Sequence, residues 1–121
     1  LYIVSKRDFE STVFSFPLSA VESSAVLTLQ PKLYLPFTFT TGADMRLDGR
    51  YIVIKNLTSV YMWERSLDEP VLTTLSRSYY EIPYKIEPQG EAICFATKRR
   101  YFYTISERPL GLDSYLYQYM Y

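Results

Sequence analysis

Thr41-Gly42-Ala43-Asp44-Met45-Arg46-Leu47-Asp48-Gly49-Arg50-Tyr51-Ile52-Val53-Ile54-Lys55-Asn56-Leu57-Thr58-Ser59-Val60-Tyr61-Met62-Trp63-Glu64 is the stretch that decides the fold. Asp48-Gly49 predicts a tight hairpin, because a two-residue primed turn needs positive φ and these residues tolerate it. Met45 and Leu47 then end one strand, and Tyr51 to Lys55 form the next. Asn56-Leu57-Thr58-Ser59 is short and polar. It hands over to Val60-Tyr61-Met62-Trp63, whose aromatic and β-branched side chains suit a pleated surface. The unit reads as an antiparallel meander.

The same order of signals recurs along the chain. Tyr2-Ile3-Val4-Ser5-Lys6 resembles Tyr51-Ile52-Val53-Ile54-Lys55 and Tyr103-Thr104-Ile105-Ser106-Glu107. Thr12-Val13-Phe14-Ser15-Phe16 corresponds to Ser59-Val60-Tyr61-Met62-Trp63 and to Ser114-Tyr115-Leu116-Tyr117-Gln118. A fourth strand is expected at Ala25-Val26-Leu27-Thr28-Leu29 and again at Pro70-Val71-Leu72-Thr73-Thr74-Leu75. Matched positions lie 45 (Val26 to Val71), 48 (Gly42 to Gly90), 49 (Tyr2 to Tyr51) and 52 (Tyr51 to Tyr103) residues apart. Four strands in a period of that size is the arithmetic of a β-propeller blade.

With strands lettered a to d outward from the axis, the order along the chain is b-c-d, a-b-c-d, a-b-c. The expected fold is all-β, a partial β-propeller of about two and a half four-stranded antiparallel blades. Residues 1–35 would form a partial blade, 36–82 a full blade and 83–121 a partial blade. The chain starts in the middle of a repeat and reads as a piece of a longer protein. An open arc of blades leaves bare sheet faces and unpaired edges. The expected partners are therefore the remaining blades of a parent chain or other copies of the same segment, as an oligomer or a filament.

Composition suits a packed β domain, with 48% hydrophobic residues, 13 Tyr, 7 Phe and 1 Trp. Thirteen basic and thirteen acidic residues give no net field that would favour nucleic acid or an anionic membrane. Lys98-Arg99-Arg100 falls in the turn between strands a and b, without a glycine nest, and reads as a solvated turn. No apolar run approaches the roughly 18 residues of a spanning helix. Ser19-Ala20-Val21-Glu22 has capping-box spacing but supports one helical turn at most.

Chemistry is less legible. The absence of His excludes His-assisted nucleophilic catalysis and His-ligated zinc within this chain. Cys94 alternates with Ala92 and Ala96 and reads as a small thiol buried between blades. Asp44 and Glu91 follow the matched glycines at the start of strand a, which lines the channel of a propeller. Two acids there could ligate calcium or act as an acid/base pair; the plainer reading is hydrogen bonding to loop amides or pairing with a neighbouring Arg, such as Arg46. Asn56-Leu57-Thr58 is an N-glycosylation sequon that the repeat places in an exposed turn. Trp63 and the paired or alternating tyrosines read as packing between sheets.

Thr41-Gly42-Ala43-Asp44, Leu47-Asp48-Gly49-Arg50, Tyr61-Met62-Trp63, Glu87-Pro88-Gln89-Gly90-Glu91-Ala92-Ile93 and Tyr103-Thr104-Ile105-Ser106-Glu107 together resemble the C-terminal blades of a family of secreted β-propeller proteins of bacteria and invertebrate animals. More distantly the chain resembles phytase-like and lactonase-like propellers. Thr97-Lys98-Arg99 stands where such repeats carry an Asp-Gly turn, so that hairpin is expected to be longer or differently shaped. The resemblance implies an extracellular setting and no assigned reaction. The leading functional expectation is a non-enzymatic scaffold or binding and assembly module. The alternatives are a calcium-dependent phytase-like or lactonase-like hydrolase completed by further blades, and a filament-forming structural protein.

Overall fold

Apolar side chains on both sides of Tyr51–Lys55 and Val60–Glu64 are the pattern of a sheet covered on both faces. The computed structural model, which describes residues 1–20, 26 and 28–121, has that sheet at its centre. Strands β1 (Tyr2–Val4), β2 (Ser11–Ser15) and β3 (Pro31–Leu35) make the first sheet. The middle sheet is β4 (Gly42–Met45), β5 (Tyr51–Lys55), β6 (Val60–Glu64) and β7 (Tyr80–Ile82). Strands β8 (Gly90–Phe95), β9 (Tyr101–Ser106) and β10 (Leu116–Met120) make the third. Every pairing is antiparallel between neighbours in sequence, so the chain is all-β, three meanders in a row.

The pleat of the middle sheet divides its side chains between two cores. Ile52, Ile54, Tyr61 and Trp63 face the first sheet and bury Val13 and Leu35. Val53, Val60 and Met62 face the third sheet and bury Ile93 and Phe102. Each such apolar side chain contributes about 1.5–3 kcal/mol on leaving water. Aromatic rings lock the first interface: Phe37 stacks on Tyr61 at 4.1 Å, and Tyr79 sets its edge against Phe37, Tyr61 and Trp63. Phe102 stacks on Tyr119 at 5.1 Å beside the second. The first strands of these two sheets, β4 and β8, run alongside each other.

The fourth strand is not where the repeat reading puts it. Val71–Leu75 is a short helix, α1, and the strand of the middle sheet is Tyr80–Ile82. Pro70 stands at the helix start with φ −60°, Thr74 Oγ1 donates to Glu69, and Val71 and Leu75, one turn apart, are both buried in the first core. In the first sheet the corresponding strand is Pro31–Leu35. Within the earlier expectation for 25–29, residues 25 and 27 lie outside the described residues, and Val26 is exposed. Of the predicted capping box, Leu18–Ala20 forms a 3₁₀ turn, while Val21 and Glu22 lie outside the described residues.

The Asp48-Gly49 hairpin is also longer than two residues. Residues 46–50 form the loop, Gly49 has φ +70° as expected, and the Arg46 amide closes on the Tyr51 carbonyl at 2.9 Å. Residues 96–100 make the matching loop with no glycine, closed by the Ala96 amide on the Tyr101 carbonyl at 2.9 Å. The two loops have equal length but differ in shape, since Gly49 has a positive φ and no residue of 96–100 does, and the structural counterpart of Tyr51 is Tyr101 rather than Tyr103. Phe102 opposes Tyr119 as Ile52 opposes Trp63, so Tyr119 and not Gln118 takes the place of Trp63. Trp63 is buried, and its indole donates to the Arg77 carbonyl at 3.2 Å. Cys94 is exposed rather than buried, because it points away from the middle sheet and no further sheet covers it among the described residues.

Candidate functional site

Strand β8 and the bend that precedes it bring several charged side chains against the middle sheet. Gly90 pairs with Ser106 and Ala92 with Ile105, which leaves Glu91 as the extra residue of a β-bulge. Bulges re-aim a side chain. Here Glu91 reaches back past the middle sheet to the first, where its carboxylate takes Lys6 Nζ at 2.6 Å. The registers correct the matching of the glycines: Asp44 pairs with Val53 as Cys94 pairs with Tyr103, so Cys94 takes the place of Asp44 and Ala92 that of Gly42, and Glu91 has no counterpart in the middle sheet.

Asp44 ties β4 to β8. One carboxylate oxygen accepts from the amide of Met45 at 2.8 Å and the other from the amide of Phe95 at 2.7 Å. Asp44 and Glu91 are thus already engaged, one with amides and the other with an ammonium. Among the described residues no three acidic or thiol side chains gather as a metal-holding group. Calcium takes six to eight oxygens. Asp44 and Glu91 supply only part of such a set. Asp44 accepts from amides, whereas Glu91 takes Lys6 rather than an arginine, and Arg46 pairs with Asp48 at 3.4 Å.

A buried cluster next to these acids escaped the sequence reading. Lys55 ends β5 and is fully buried; its ammonium donates to the Gly90 carbonyl at 2.6 Å and the Asn56 carbonyl at 3.1 Å, and lies 4.7 Å from the centre of the Tyr84 ring. Burial lowers its pKa, and the carboxylates of Glu87 and Glu91 oppose that shift. Glu87 is itself buried and accepts from Thr104 Oγ1, while its other oxygen and the Tyr84 hydroxyl have no partner among the described residues. Burial, with the nearby Glu87 charge, pushes the Tyr84 hydroxyl pKa up. A fully enclosed amine cannot reach a substrate. The cluster fastens the middle sheet to the third.

The chain bends sharply there. Gln89 has φ +47°, in a left-handed region that non-glycine residues seldom occupy. A Cβ on Gly90 would lie 2.7 Å from Lys55 Nζ and 2.8 Å from the Tyr84 hydroxyl. The signal in the sequence was the Glu87-Pro88-Gln89-Gly90 run itself; nothing local marks Lys55 as buried.

Asn56 sits in the turn between β5 and β6, but its side chain is turned inward and the residue is only 9% exposed. Its oxygen accepts from the amides of Thr58 at 3.0 Å and Ser59 at 2.7 Å, and its nitrogen donates to the Tyr61 hydroxyl at 3.3 Å. The nitrogen that would carry a glycan is therefore committed inside the fold, which differs from the exposed position the sequon suggested.

Two open concavities flank the sheets. One of about 740 Å³ lies between β1 and β4, with Tyr2, Val4 and Val13 on one wall and Gly42 to Met45 on the other. The other, of about 650 Å³, is lined by Arg50, Arg65, Arg77 and Glu64. Arg65 is held there by the carbonyls of Gly49 and Leu67, and Arg77 by Glu69. The Lys98-Arg99-Arg100 loop is exposed, with Arg100 lying 5.6 Å from the centre of the Tyr121 ring. No helix among the described residues is long and apolar enough to cross a membrane. No protein-family model matches the chain, and neither a curated protein nor a solved structure matches it.

Proposed function

We propose that this chain is a run of β-propeller blades acting as a non-catalytic scaffold that binds or assembles through its sheet faces and edges. One observation carries the reading: the middle sheet is covered on both faces by sheets of the same meander, with Val13 and Leu35 on one side and Ile93 and Phe102 on the other. The side-by-side course of β4 and β8, and the reach of Glu91 to Lys6, support blades that converge at their inner ends. The polar groups at that convergence are spent on joining sheets, which favours a scaffold over a hydrolase. The extracellular setting comes from the family resemblance.

Calorimetric titration of the chain with calcium, beside Asp44→Ala and Glu91→Ala, tests this. The scaffold reading expects no saturable heat in any of the three. Stoichiometric uptake by the parent chain that disappears in Asp44→Ala would replace it with the calcium-dependent hydrolase.

A further inference from the structure

Among the described residues the two terminal sheets each leave apolar side chains exposed on the face turned away from the middle sheet, and the interfaces inside the molecule show what those faces are built to meet. In the third sheet the pleat sends Phe102 and Tyr119 towards the middle sheet and Ile105, Leu116 and Met120 outward, where all three are exposed. Cross-strand pairing sets Ala92, Ile105 and Leu116 in one row and Tyr101 with Met120 in another. Between these two rows runs a third, Cys94, Tyr103 and Gln118, so the face is apolar at Ile105, Leu116 and Met120 with one amide at its centre. Tyr103 and Gln118 hold the register, in the third sheet, that Val53 and Met62 hold in the middle one, where they are buried.

The first sheet offers the counterpart. Val13 and Leu35 point to the middle sheet, while Ile3, Phe14 and Tyr34 lie on the opposite side. Ile3 opposes Phe14 as Ile52 opposes Trp63, so this side is the equivalent of the face with which the middle sheet covers the first. Ile3 and Tyr34 are exposed and Phe14 is half-buried. One terminal face is thus of the type that the other type covers twice within this chain.

We infer that the outer face of the third sheet seats the outer face of the first sheet of a second copy, head to tail, and that two copies close on each other. The inference rests on the proposed blade stacking and names its partner. Two unlike faces of one chain make a heterologous contact, which closes into a ring when the rotation allows. Two copies hold six sheets, within the four to eight blades of closed propellers. The occupant is a second copy because the pairing repeats contacts already made between successive sheets here, with no new chemistry required.

Native mass measurement at tens of micromolar should give twice the 14.2 kDa chain mass. Two variants block one face each: Leu116→Lys with Met120→Lys, and Ile3→Lys with Tyr34→Lys. Each alone should run as a single chain with unchanged circular dichroism, and a mixture should form a one-to-one pair through the two intact faces. Cys94, exposed on the third sheet's outer face beside Tyr103, gives a readout without substitution: its reaction with a bulky thiol reagent should slow several-fold from dilute to concentrated chain. A single chain at every concentration, a ladder with no discrete pair, self-association surviving in either blocked variant, or a concentration-independent thiol rate would overturn the pairing. The calcium titration does not depend on association, so the two readings fail separately.

Discussion

The Lys55 ammonium donates to the Gly90 carbonyl at 2.6 Å across the joint between the middle and third sheets, with no exposure to solvent. Hydrogen bonds from a charged donor are worth more than neutral ones, and a buried acceptor left alone costs its desolvation. Lys55→Met should therefore lower stability by about 3 kcal/mol at neutral pH. Urea unfolding followed by Trp63 fluorescence reads this, and a loss under about 0.5 kcal/mol would show that the amine contributes little.

The same amine makes stability depend on pH. Its folded pKa is lowered from the ordinary 10.5 because burial disfavours the charge, with Glu87 and Glu91 opposing. At pH below the lowered value the amine is charged in both states, and the burial penalty acts in full. As pH rises from there towards 10.5, the folded state releases the proton first and the penalty fades. Between neutrality and about pH 10 the stability difference between the parent and Lys55→Met should widen in favour of the parent. Tyr84, Tyr61 and Tyr121, whose pKa values are raised by burial, act with the opposite sign and only as pH passes their ordinary 10.0. A flat difference across the window would refute the assignment.

Adjacent residues at the bend should respond in opposite directions. In Gly90→Ala the new methyl would meet Lys55 Nζ, the Tyr84 hydroxyl and, at 3.1 Å, Glu87 Cβ, so the ammonium and the hydroxyl would have to leave their present places. Overpacking of this kind costs about 1–3 kcal/mol. Gln89→Gly releases a left-handed residue at φ +47° and should raise stability by about 1 kcal/mol. Paired denaturant melts decide the matter; equal signs would mean that the bend is not the strained element.

How far the sequence foretold this depends on where the deciding force lies. The middle sheet was legible because Ile52, Val53, Ile54, Val60 and Tyr61 are strand formers apolar in both phases, so local preference and burial agree. Val71 to Leu75 was misread because its β-branched composition favours a strand, while burial of Val71 and Leu75 on the first sheet selects a helix. In β10, tyrosines in one phase alternate with Leu116, Gln118 and Met120 in the other; large apolar side chains stand in both phases, and Gln118 alone marks the one-residue slip. The polar joint failed for another reason. A lysine at a strand end is ordinarily solvated, and what buries Lys55 is Tyr84 and Gly90 from the next sheet.

Asn56 holds the turn between β5 and β6 through its oxygen and the Tyr61 ring through its nitrogen. Asn56→Asp keeps the acceptor for the Thr58 and Ser59 amides and loses only the donor, so it should cost about 1 kcal/mol. Asn56→Ala loses both and should cost about 2 kcal/mol. Expression through a glycosylating secretory route should return folded chain at its unmodified mass, because the modifiable nitrogen is inside the fold. A fully glycosylated chain of parental stability would show that the turn opens to present it.

Asp44 joins β4 to β8 through the Phe95 amide, a contact between residues 51 apart in sequence. Asp44→Ala leaves that partly buried donor without an acceptor and should lower stability by about 1.5–3 kcal/mol, the range for hydrogen bonds to a charged group. Asp44→Asn keeps one carbonyl oxygen and should recover about half. The location of the damage is more telling than its size. Amide hydrogen exchange of the parent should show Phe95 protected as well as its sheet neighbours, and in Asp44→Ala protection should fall at Phe95 and along β8 while Val53 and Met62 at the centre of the middle sheet stay protected. Uniform loss across all three sheets would mean that Asp44 supports the fold as a whole. Unchanged exchange at Phe95 would mean that β4 and β8 are held together by packing of Ile93 against Gly42 alone.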